Sequence, residues 1–338
     1  MQFAENVELK MLNSFGVKAK ARFYAELHVV AELKQFASII QDNPKPLLFL
    51  GSGSNVLFTQ DFDGYVVRVA SKGIKMVSET DDECLVEAAA GEGWDDLIQF
   101  CIQHNLYGLE NLSGIPGTVG SSPIQNIGAY GVEVADSIHQ VHAVRLDDFE
   151  ELHLKNCDCL FGYRDSIFKN ELKAKVFIAS VVFRLSKQER FALDYKGVAD
   201  EVKRISPHKT DLKAVSIAIK NIRNSKIPDP TLVCSAGSFF KNPMVDVAKL
   251  NQLLVEFPSL IYYKVTEQSF KLAAAWLIEQ CGWKGYRQGD FGVNQLQPLI
   301  LVNYGDASGK DILLLSQQMQ QSVFTKFGIE LHPEVNIF

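Results

Sequence analysis

The chain has 338 residues, which suits two or three domains of ordinary size better than one simple core. Its formal net charge of −6 argues against a nucleic-acid partner, because binding to a phosphate backbone needs a basic face. The first residues lack a basic segment followed by an apolar run. We therefore expect a cytoplasmic protein with no secretory signal and no membrane partner.

The six cysteines are scattered along the chain without the spacing of a zinc site or a disulfide framework. Cys157 and Cys159 form the one close pair in the sequence, and no second pair completes a metal site. We expect reduced thiols and no bound metal.

Alternating helix and strand signals in the first two thirds of the chain indicate a mixed α and β class. Apolar residues at helical spacing predict helices over residues 29–41, 94–104 and 211–224. Asp95 and Asp96 suit the positive N-terminal end of the second helix. Short apolar runs predict strands at residues 47–50, 56–58, 84–90, 138–146 and 176–185.

A glycine- and serine-rich turn follows the strand at 47–50 and covers residues 51–56. A dinucleotide-binding Rossmann fold needs a third glycine at a helix start, whereas Val56 here begins a strand-like run. The Rossmann interpretation therefore fails. Two alternatives remain: a tight turn between strands, and a turn whose backbone N–H groups, serine hydroxyls and Asn55 amide hold an anion.

The segment 106–131 is a long connection punctuated by glycine and proline. Connections of this length are usually functional or disordered, and its apolar residues favour a packed, functional loop. Its glycines let the backbone approach a ligand closely. Uncrowded N–H groups and amide side chains of this kind suit a diphosphate or a flavin ring.

The run Ile-Pro-Asp-Pro at 227–230 is a stiff breaker, because each proline restricts the residue before it. We place a domain boundary there. The remaining signals predict helices at 245–257, 270–280 and 310–327, and strands at 299–302 and 329–337.

Several motifs in order along the chain resemble those of the UDP-N-acetylenolpyruvoylglucosamine reductases, the MurB flavoenzymes. They lie at residues 13–16, 51–58, 114–131, 162–166, 225–230, 236–243 and 332–335. The resemblance implies an α+β fold with a two-part FAD-binding domain of the vanillyl-alcohol-oxidase (PCMH) type. It places the first FAD-binding subdomain at 1–75, the second at 76–226 and a separate α+β substrate-binding domain at 227–327. A terminal strand at 328–338 would return to the active site.

The resemblance also implies a chemistry. Non-covalent FAD and the co-substrate NADPH would reduce the enolpyruvyl group of a UDP-sugar to UDP-N-acetylmuramate, for peptidoglycan synthesis and hence cell shape and division. Such an enzyme has small-molecule partners only, and we expect a monomer. The positions matching FAD contacts are Gly51, Ser52, Gly53, Ser54, Asn55, Val56, Gly114, Pro116, Gly117, Gln125, Asn126, Gly128, Ala129 and Tyr130.

Three positions match the family's catalytic residues. Arg164 would grip the substrate carboxylate, since a guanidinium offers two parallel hydrogen bonds. Ser238 would donate a proton to the α carbon, with Glu334 assisting. From the residues alone, each has a plainer alternative: an Arg164–Asp165 surface pair, a serine in a turn, and a glutamate facing solvent.

Six further positions match substrate contacts, and Tyr263 among them falls in a segment that matches a mobile loop of the family's first subtype. They are Tyr195, Lys226, Asn242, Tyr263, Lys271 and Gln297. One departure is Asn336, where many family members have arginine. Two rival functions remain: an alcohol or sugar oxidase on the same FAD fold, and a flavin-binding protein without catalysis.

Overall fold

The computed structural model describes residues 3–228 and 232–338. Asp229 and Pro230, half of the predicted breaker, lie outside the described residues. The α-helices are α1 (Leu33–Asp42), α2 (Trp94–Gln103), α3 (Val198–Ile205), α4 (Leu212–Asn224), α5 (Val247–Glu256), α6 (Ala274–Gln280) and α7 (Gly309–Phe327).

The strands are mostly short. In chain order they are β1 (Ala4–Glu8), β2 (Lys20–Leu27), β3 (Leu47–Leu50), β4 (Val56–Leu57), β5 (Phe62–Val69), β6 (Ile74–Glu79), β7 (Glu83–Ala89), β8 (Gly128–Ala129), β9 (Val132–Glu133), β10 (Ile138–Arg145), β11 (Glu151–Lys155), β12 (Val176–Ser186), β13 (Met244–Asp246), β14 (Tyr262–Lys264), β15 (Ser269–Leu272), β16 (Arg287–Gln288), β17 (Phe291–Val293), β18 (Leu301–Asn303) and β19 (Asn336–Ile337).

The chain folds into two compact units, each assembled from three separate segments of the sequence. Unit 1 comprises residues 1–7, 21–52 and 63–225, and unit 2 comprises 8–20, 53–62 and 226–338. One boundary between them lies between Ser225 and Lys226. The three-domain boundaries inferred from the sequence stay a prediction.

Unit 1 contains a four-stranded sheet in the order β1-β2-β5-β3 and a five-stranded sheet in the order β11-β10-β12-β7-β6. The five-stranded sheet is antiparallel throughout. Helix α2 packs on its apolar face through the fully buried Trp94 and Leu97, in one core with Val181 and Phe183 of β12. Helices α3 and α4 share a smaller core of their own.

Unit 2 contains two three-stranded antiparallel sheets, β13-β15-β14 and β16-β17-β18, and the parallel pair β4 and β19. Helix α7 is capped at its start by the Ser308 side chain, which accepts a hydrogen bond from Asp311 N, and at its end by Gly328 in the left-handed conformation. Its buried face carries Ile312, Leu315 and Met319.

Most predicted elements are confirmed within three residues, including α2, α4, α7, β3, β10 and β12, whereas α1 begins at Leu33, four residues after the predicted start. Two are wrong in part. Residues 270–272 belong to strand β15 rather than to a helix, and the predicted terminal strand at 329–337 is reduced to β19, because Pro333 has no N–H for a continuous ladder. Helix α3 was not predicted.

Within the described residues, no helix has the length and apolar character that crossing a bilayer requires. The same residues contain no cluster of His, Cys, Asp or Glu suited to a metal ion.

Candidate active site

The turn at 51–56 is shaped by close approaches of its two glycines. A Cβ on Gly51 would lie 2.6 Å from Thr118 Oγ1, and one on Gly53 would lie 1.9 Å from the carbonyl oxygen of Leu12. Gly53 has φ +68°, and its carbonyl accepts a hydrogen bond from Ser14 N. The turn then enters strand β4, which confirms that no Rossmann helix follows it.

The loop 106–131 is packed, as its sequence predicted: Leu109, Leu112 and Val119 are fully buried. Asn126 organises its second half. Its Nδ2 donates to Glu133 Oε2 (2.7 Å) and to the carbonyl of Gly162 (3.0 Å), while its Oδ1 accepts from Ala135 N. Both N–H donors of the Asn126 side chain therefore bond within the protein, and its backbone N–H and carbonyl are also bonded, to the Pro123 carbonyl and to Arg164 Nη1. A contact between Asn126 and FAD stays a prediction.

Arg164 lies outside the loop 106–131 in sequence but contacts it. Its guanidinium donates to the carbonyl oxygens of Asn126 and Gly128 and stacks 5.3 Å from the centroid of the Tyr163 ring. The neighbouring Asp165 accepts hydrogen bonds from Ser166 N and Asn170 Nδ2. The guanidinium is therefore held beside the loop 106–131. A carboxylate-binding role for Arg164 stays a prediction.

Two tyrosines predicted to serve different ligands lie together in unit 1. The rings of Tyr130 and Tyr195 meet edge to face, with centroids 5.3 Å apart. Burial raises the pKa of Tyr130. Asn111, which is 1% exposed, donates through Nδ2 to the carbonyls of Tyr130 and Ala192 and so joins the two segments.

Arg223 of α4 is a charged side chain that the sequence analysis did not single out. A Cβ on Gly114 would lie 3.5 Å from its Cδ, and burial lowers the pKa of its guanidinium, partly offset by Tyr130. Among residues 3–228 and 232–338, its side chain has no hydrogen bond or ion pair. Its position within an otherwise ordinary amphipathic helix gave no signal in the sequence.

In unit 2, backbone pairing brings Ser238 and Glu334 together. Glu334 N donates to the carbonyl of Phe239 (2.7 Å), and Lys241 N donates to that of His332 (2.9 Å). Phe239 and Phe240 are buried and anchor the pair, whereas Ser238 is exposed and Glu334 is half-buried. A hydroxyl and a carboxyl thus lie on adjacent segments next to solvent.

The same segment continues to the second half of the glycine turn. Asn55 Nδ2 donates to the carbonyl of Glu334 (3.3 Å), and the carbonyl of Asn55 accepts from Asn336 N and Asn336 Nδ2 (both 3.1 Å). Asn336, the departure from the family pattern, therefore fastens this turn rather than supplying a charge.

Two of the predicted substrate residues of unit 2 lie side by side. Tyr263 and Lys271 are direct cross-strand partners in β14 and β15, which places them on one face of the sheet. The predicted mobile segment around Tyr263 thus forms a hairpin. Asn242 Oδ1 accepts from Ala274 N at the start of α6 (2.9 Å), and Gln297 lies in the turn before Ile300, the bridge partner of Ser238. Lys226 is exposed.

The predicted site residues divide between the units. Unit 1 holds Gly51, Ser52, Gly114, Pro116, Gly117, Gln125, Asn126, Gly128, Ala129, Tyr130, Arg164 and Tyr195. Unit 2 holds Gly53, Ser54, Asn55, Val56, Lys226, Ser238, Asn242, Tyr263, Lys271, Gln297 and Glu334.

Comparison with known proteins decides the family. A model of an FAD binding domain matches residues 21–150, and a model of the UDP-N-acetylenolpyruvoylglucosamine reductase C-terminal domain matches residues 229–338. The reductase of Chromobacterium violaceum is 44% identical over 99% of this chain and 98% of its own. That of Flavobacterium johnsoniae is 43% identical over the full length of both chains. The chain belongs to the UDP-N-acetylenolpyruvoylglucosamine reductase family.

The fold agrees with this assignment. The crystal structure of the reductase (MurB) from Thermus caldophilus superposes with a TM-score of 0.69, at 23% identity, over 100% of this chain and 99% of that one. The predicted α+β fold with an FAD-binding domain of PCMH type is confirmed. So is the prediction of a flavin-dependent oxidoreductase.

The residues present fit an FAD molecule. Within the described parts of the chain, two buried polar atoms have no hydrogen-bond partner: Ser14 Oγ and Asn111 Oδ1. Each belongs to a residue bonded to the backbone of a predicted FAD position, Gly53 and Tyr130 respectively. A buried polar atom without a partner costs about 1–3 kcal/mol, which a polar ligand would relieve. The Arg223 guanidinium adds a positive charge, which suits the anionic diphosphate of FAD.

Proposed function

We propose that this chain reduces UDP-N-acetylglucosamine enolpyruvate to UDP-N-acetylmuramate with NADPH as reductant, a step in the synthesis of peptidoglycan precursors. Family membership supports the substrate class. The pairing of the Ser238 and Glu334 segments carries the proposal, because it supplies a proton source in the part of the chain that also holds the proposed substrate contacts. Six free cysteines agree with a cytoplasmic reaction.

The chemistry assigns a task to each unit. Bound FAD, once reduced, supplies a hydride to the β carbon of the enolpyruvyl group. Negative charge then develops at the α carbon and its carboxylate, so a fixed cation lowers the barrier. Arg164 is the residue for this task, since the carbonyls of Asn126 and Gly128 hold its guanidinium in place.

The α carbon also needs a proton. The Ser238 hydroxyl donates it, and the nearby Glu334 carboxyl assists by returning a proton to the serine oxygen. Phe239 fixes the backbone between them, because its carbonyl accepts from Glu334 N. The proposed diphosphate and uridine contacts are Tyr195, Lys226, Asn242, Tyr263, Lys271 and Gln297.

A two-step kinetic experiment on Ser238→Ala tests the proposal. Rapid mixing with NADPH measures reduction of the flavin, and mixing of the reduced protein with the UDP-sugar measures its reoxidation. We expect reduction to stay within about twofold of wild type and reoxidation to slow by about a thousandfold or more. Ser259→Ala, at an exposed serine of the same unit, should change neither step.

Two outcomes contradict the proposal. Equal losses in both half-reactions would remove Ser238 from the proton-donor role. Flavin that an alcohol reduces and NADPH does not would favour an oxidase instead.

A further inference from the structure

The side chain of Asp95 joins three segments of unit 1. Its Oδ1 accepts a hydrogen bond from Gly114 N (3.2 Å), and its Oδ2 accepts one from Lys220 Nζ (2.7 Å). Asp95 lies in the first turn of α2, Gly114 in the loop 106–131 and Lys220 in α4. The carboxylate also suits the positive end of α2. One charged group therefore holds a predicted FAD position between two helices.

Gly114 depends on this environment for its conformation. Its φ is +72°, which side-chain-bearing residues rarely adopt, and a Cβ there would lie 3.3 Å from Lys220 Cγ. The aliphatic part of Lys220 thus packs against the glycine while its ammonium group reaches Asp95. The position admits a glycine and little else.

The neighbouring residues of the loop are held by neutral, buried hydrogen bonds. Trp94 Nε1 donates to the carbonyl of Leu112 (3.0 Å), and Ser113 Oγ donates to Ser216 Oγ of α4 (2.8 Å). The Asp95 and Lys220 side chains, by contrast, are 42% and 32% exposed. Of these three contacts, the Asp95–Lys220 ion pair is therefore the one that dissolved salt can screen.

We propose that Asp95 and Lys220 are positioning residues for FAD, a role that rests on the family's use of this cofactor. Asp95 fixes the Gly114 peptide in its ligand-binding orientation. Lys220 neutralises Asp95, so that the anionic diphosphate of FAD does not meet an uncompensated carboxylate at the loop. The two side chains therefore contribute unequally: loss of the lysine exposes a repulsive charge, whereas loss of the aspartate charge removes only an anchor.

The experiment measures FAD binding to the full-length apoprotein by the quenching of flavin fluorescence. We expect Lys220→Met to raise the dissociation constant about tenfold and Asp95→Asn about threefold. Raising the salt concentration from about 0.05 to 0.5 M should reduce the Lys220→Met defect, because salt screens the exposed carboxylate. Lys220→Arg should bind FAD within about twofold of wild type.

Amide hydrogen exchange of the apoprotein gives a readout that needs no flavin. Asp95→Asn should speed exchange at Gly114 about tenfold, because a neutral amide oxygen is a weaker acceptor than a carboxylate. The exchange of Ile98 and Cys101 in the body of α2 should stay unchanged. Faster exchange throughout the unit would indicate general destabilisation and overturn the proposal.

A reversed pair separates the two contacts. Asp95→Lys combined with Lys220→Asp restores the ion pair. The lysine introduced at position 95 cannot accept the hydrogen bond from Gly114 N, because an ammonium group has no acceptor atom. We expect thermal stability near that of wild type together with weakened FAD binding. Wild-type FAD affinity in this double variant would show that the ion pair alone matters and would refute the positioning of Gly114.

Lys75→Met is the matched control, because Lys75 forms an ion pair of similar length with Glu87 (2.9 Å) on the five-stranded sheet. It should leave FAD binding unchanged. Unaltered FAD affinity in Lys220→Met and Asp95→Asn would overturn this inference while the proposed reductase function stands. A wild-type protein that binds no FAD would overturn both.

Discussion

The loop 106–131 of unit 1 and the proposed catalytic and substrate residues of unit 2 differ in the exposure of their polar side chains. Asn126 and Asn111, both 1% exposed, direct their N–H donors to protein acceptors. Ser238 and Tyr263 are exposed, and Tyr263 retains 51% of its accessible surface. Buried polar groups in the first region fix the shape of the loop, whereas polar side chains in the second are accessible to solvent.

This difference has an experimental meaning. A substitution in the loop should alter folding stability and cofactor affinity, whereas one in unit 2 should alter turnover with the fold intact. Four substitutions, from the largest expected effect to the smallest, test that division.

Replacement of Glu334 by glutamine should have the largest effect. The backbone bonds of Glu334 to Phe239 and Asn55 survive the change, so the melting temperature should stay within about 2 °C of wild type. Reoxidation of the flavin by the UDP-sugar should slow about a thousandfold, near 4 kcal/mol, because glutamine cannot exchange a proton. Stopped-flow absorbance measures the rate, with the exposed Glu330→Gln as control. A large loss of stability would erase the contrast between the regions.

Asn126→Ala should cost about 3 kcal/mol of unfolding free energy in chemical denaturation. It removes the bonds to Glu133, Gly162 and Ala135 and places alanine at a φ of +44°. Asn126→Gly loses the same bonds without the backbone strain, so it should be about 1 kcal/mol less destabilised. Equal costs in the two variants would show that strain contributes nothing.

Lys271→Met should raise the KM for the UDP-sugar about tenfold, or 1.4 kcal/mol, and change kcat less than threefold. The unbranched methionine keeps the packing of β15, so the hairpin persists. Steady-state kinetics with varied UDP-sugar provide the measurement. Lys264 lies in the same hairpin and pairs with Phe270 rather than with Lys271. Lys264→Met should therefore leave KM unchanged. A kcat defect equal to the KM defect would place Lys271 in the chemical step.

Glu110→Gln should have the smallest effect, visible as a change in pH dependence. Burial raises the pKa of the Glu110 carboxyl, so the folded state binds more protons than the unfolded state between the ordinary and the raised pKa. In the wild type, the contribution of Glu110 to folding stability is therefore present at low pH and is lost as the pH rises through the raised pKa of its carboxyl. Relative to wild type, the variant should gain about 1 kcal/mol on going from acid to neutral pH. Glu171→Gln, at an exposed residue, should show no such trend.

The sequence was sufficient where structure is local. Helices α2, α4 and α7 combine an apolar face with a clear first turn, such as the Asp211 side chain that accepts from Ala214 N. Residues 270–272 were predicted as helix because a short apolar run has no periodicity of its own. Their pairing with Met244 and Tyr262, which decides the strand, is remote in sequence.

The candidate site shows the same limit. Motif resemblance proposed Arg164, Ser238 and Glu334, and these roles stay predictions, but it could not show that the carbonyls of Asn126 and Gly128 hold the Arg164 guanidinium. Arg223 and the Asp95–Lys220 contact were not predicted. In both cases a side chain of α4 contacts a segment of the chain more than a hundred residues earlier. Such contacts are a property of tertiary packing.

The chain passes from one unit to the other five times, at 7/8, 20/21, 52/53, 62/63 and 225/226. A single cut therefore cannot release either unit whole, and an isolated fragment 229–338 would lack the pieces 8–20 and 53–62. The glycine turn itself straddles one of these crossings, and its second half is fastened to a residue 279 positions later. On the ribosome, this turn can close only after nearly the entire polypeptide has been made, so its closure belongs to the last stage of folding.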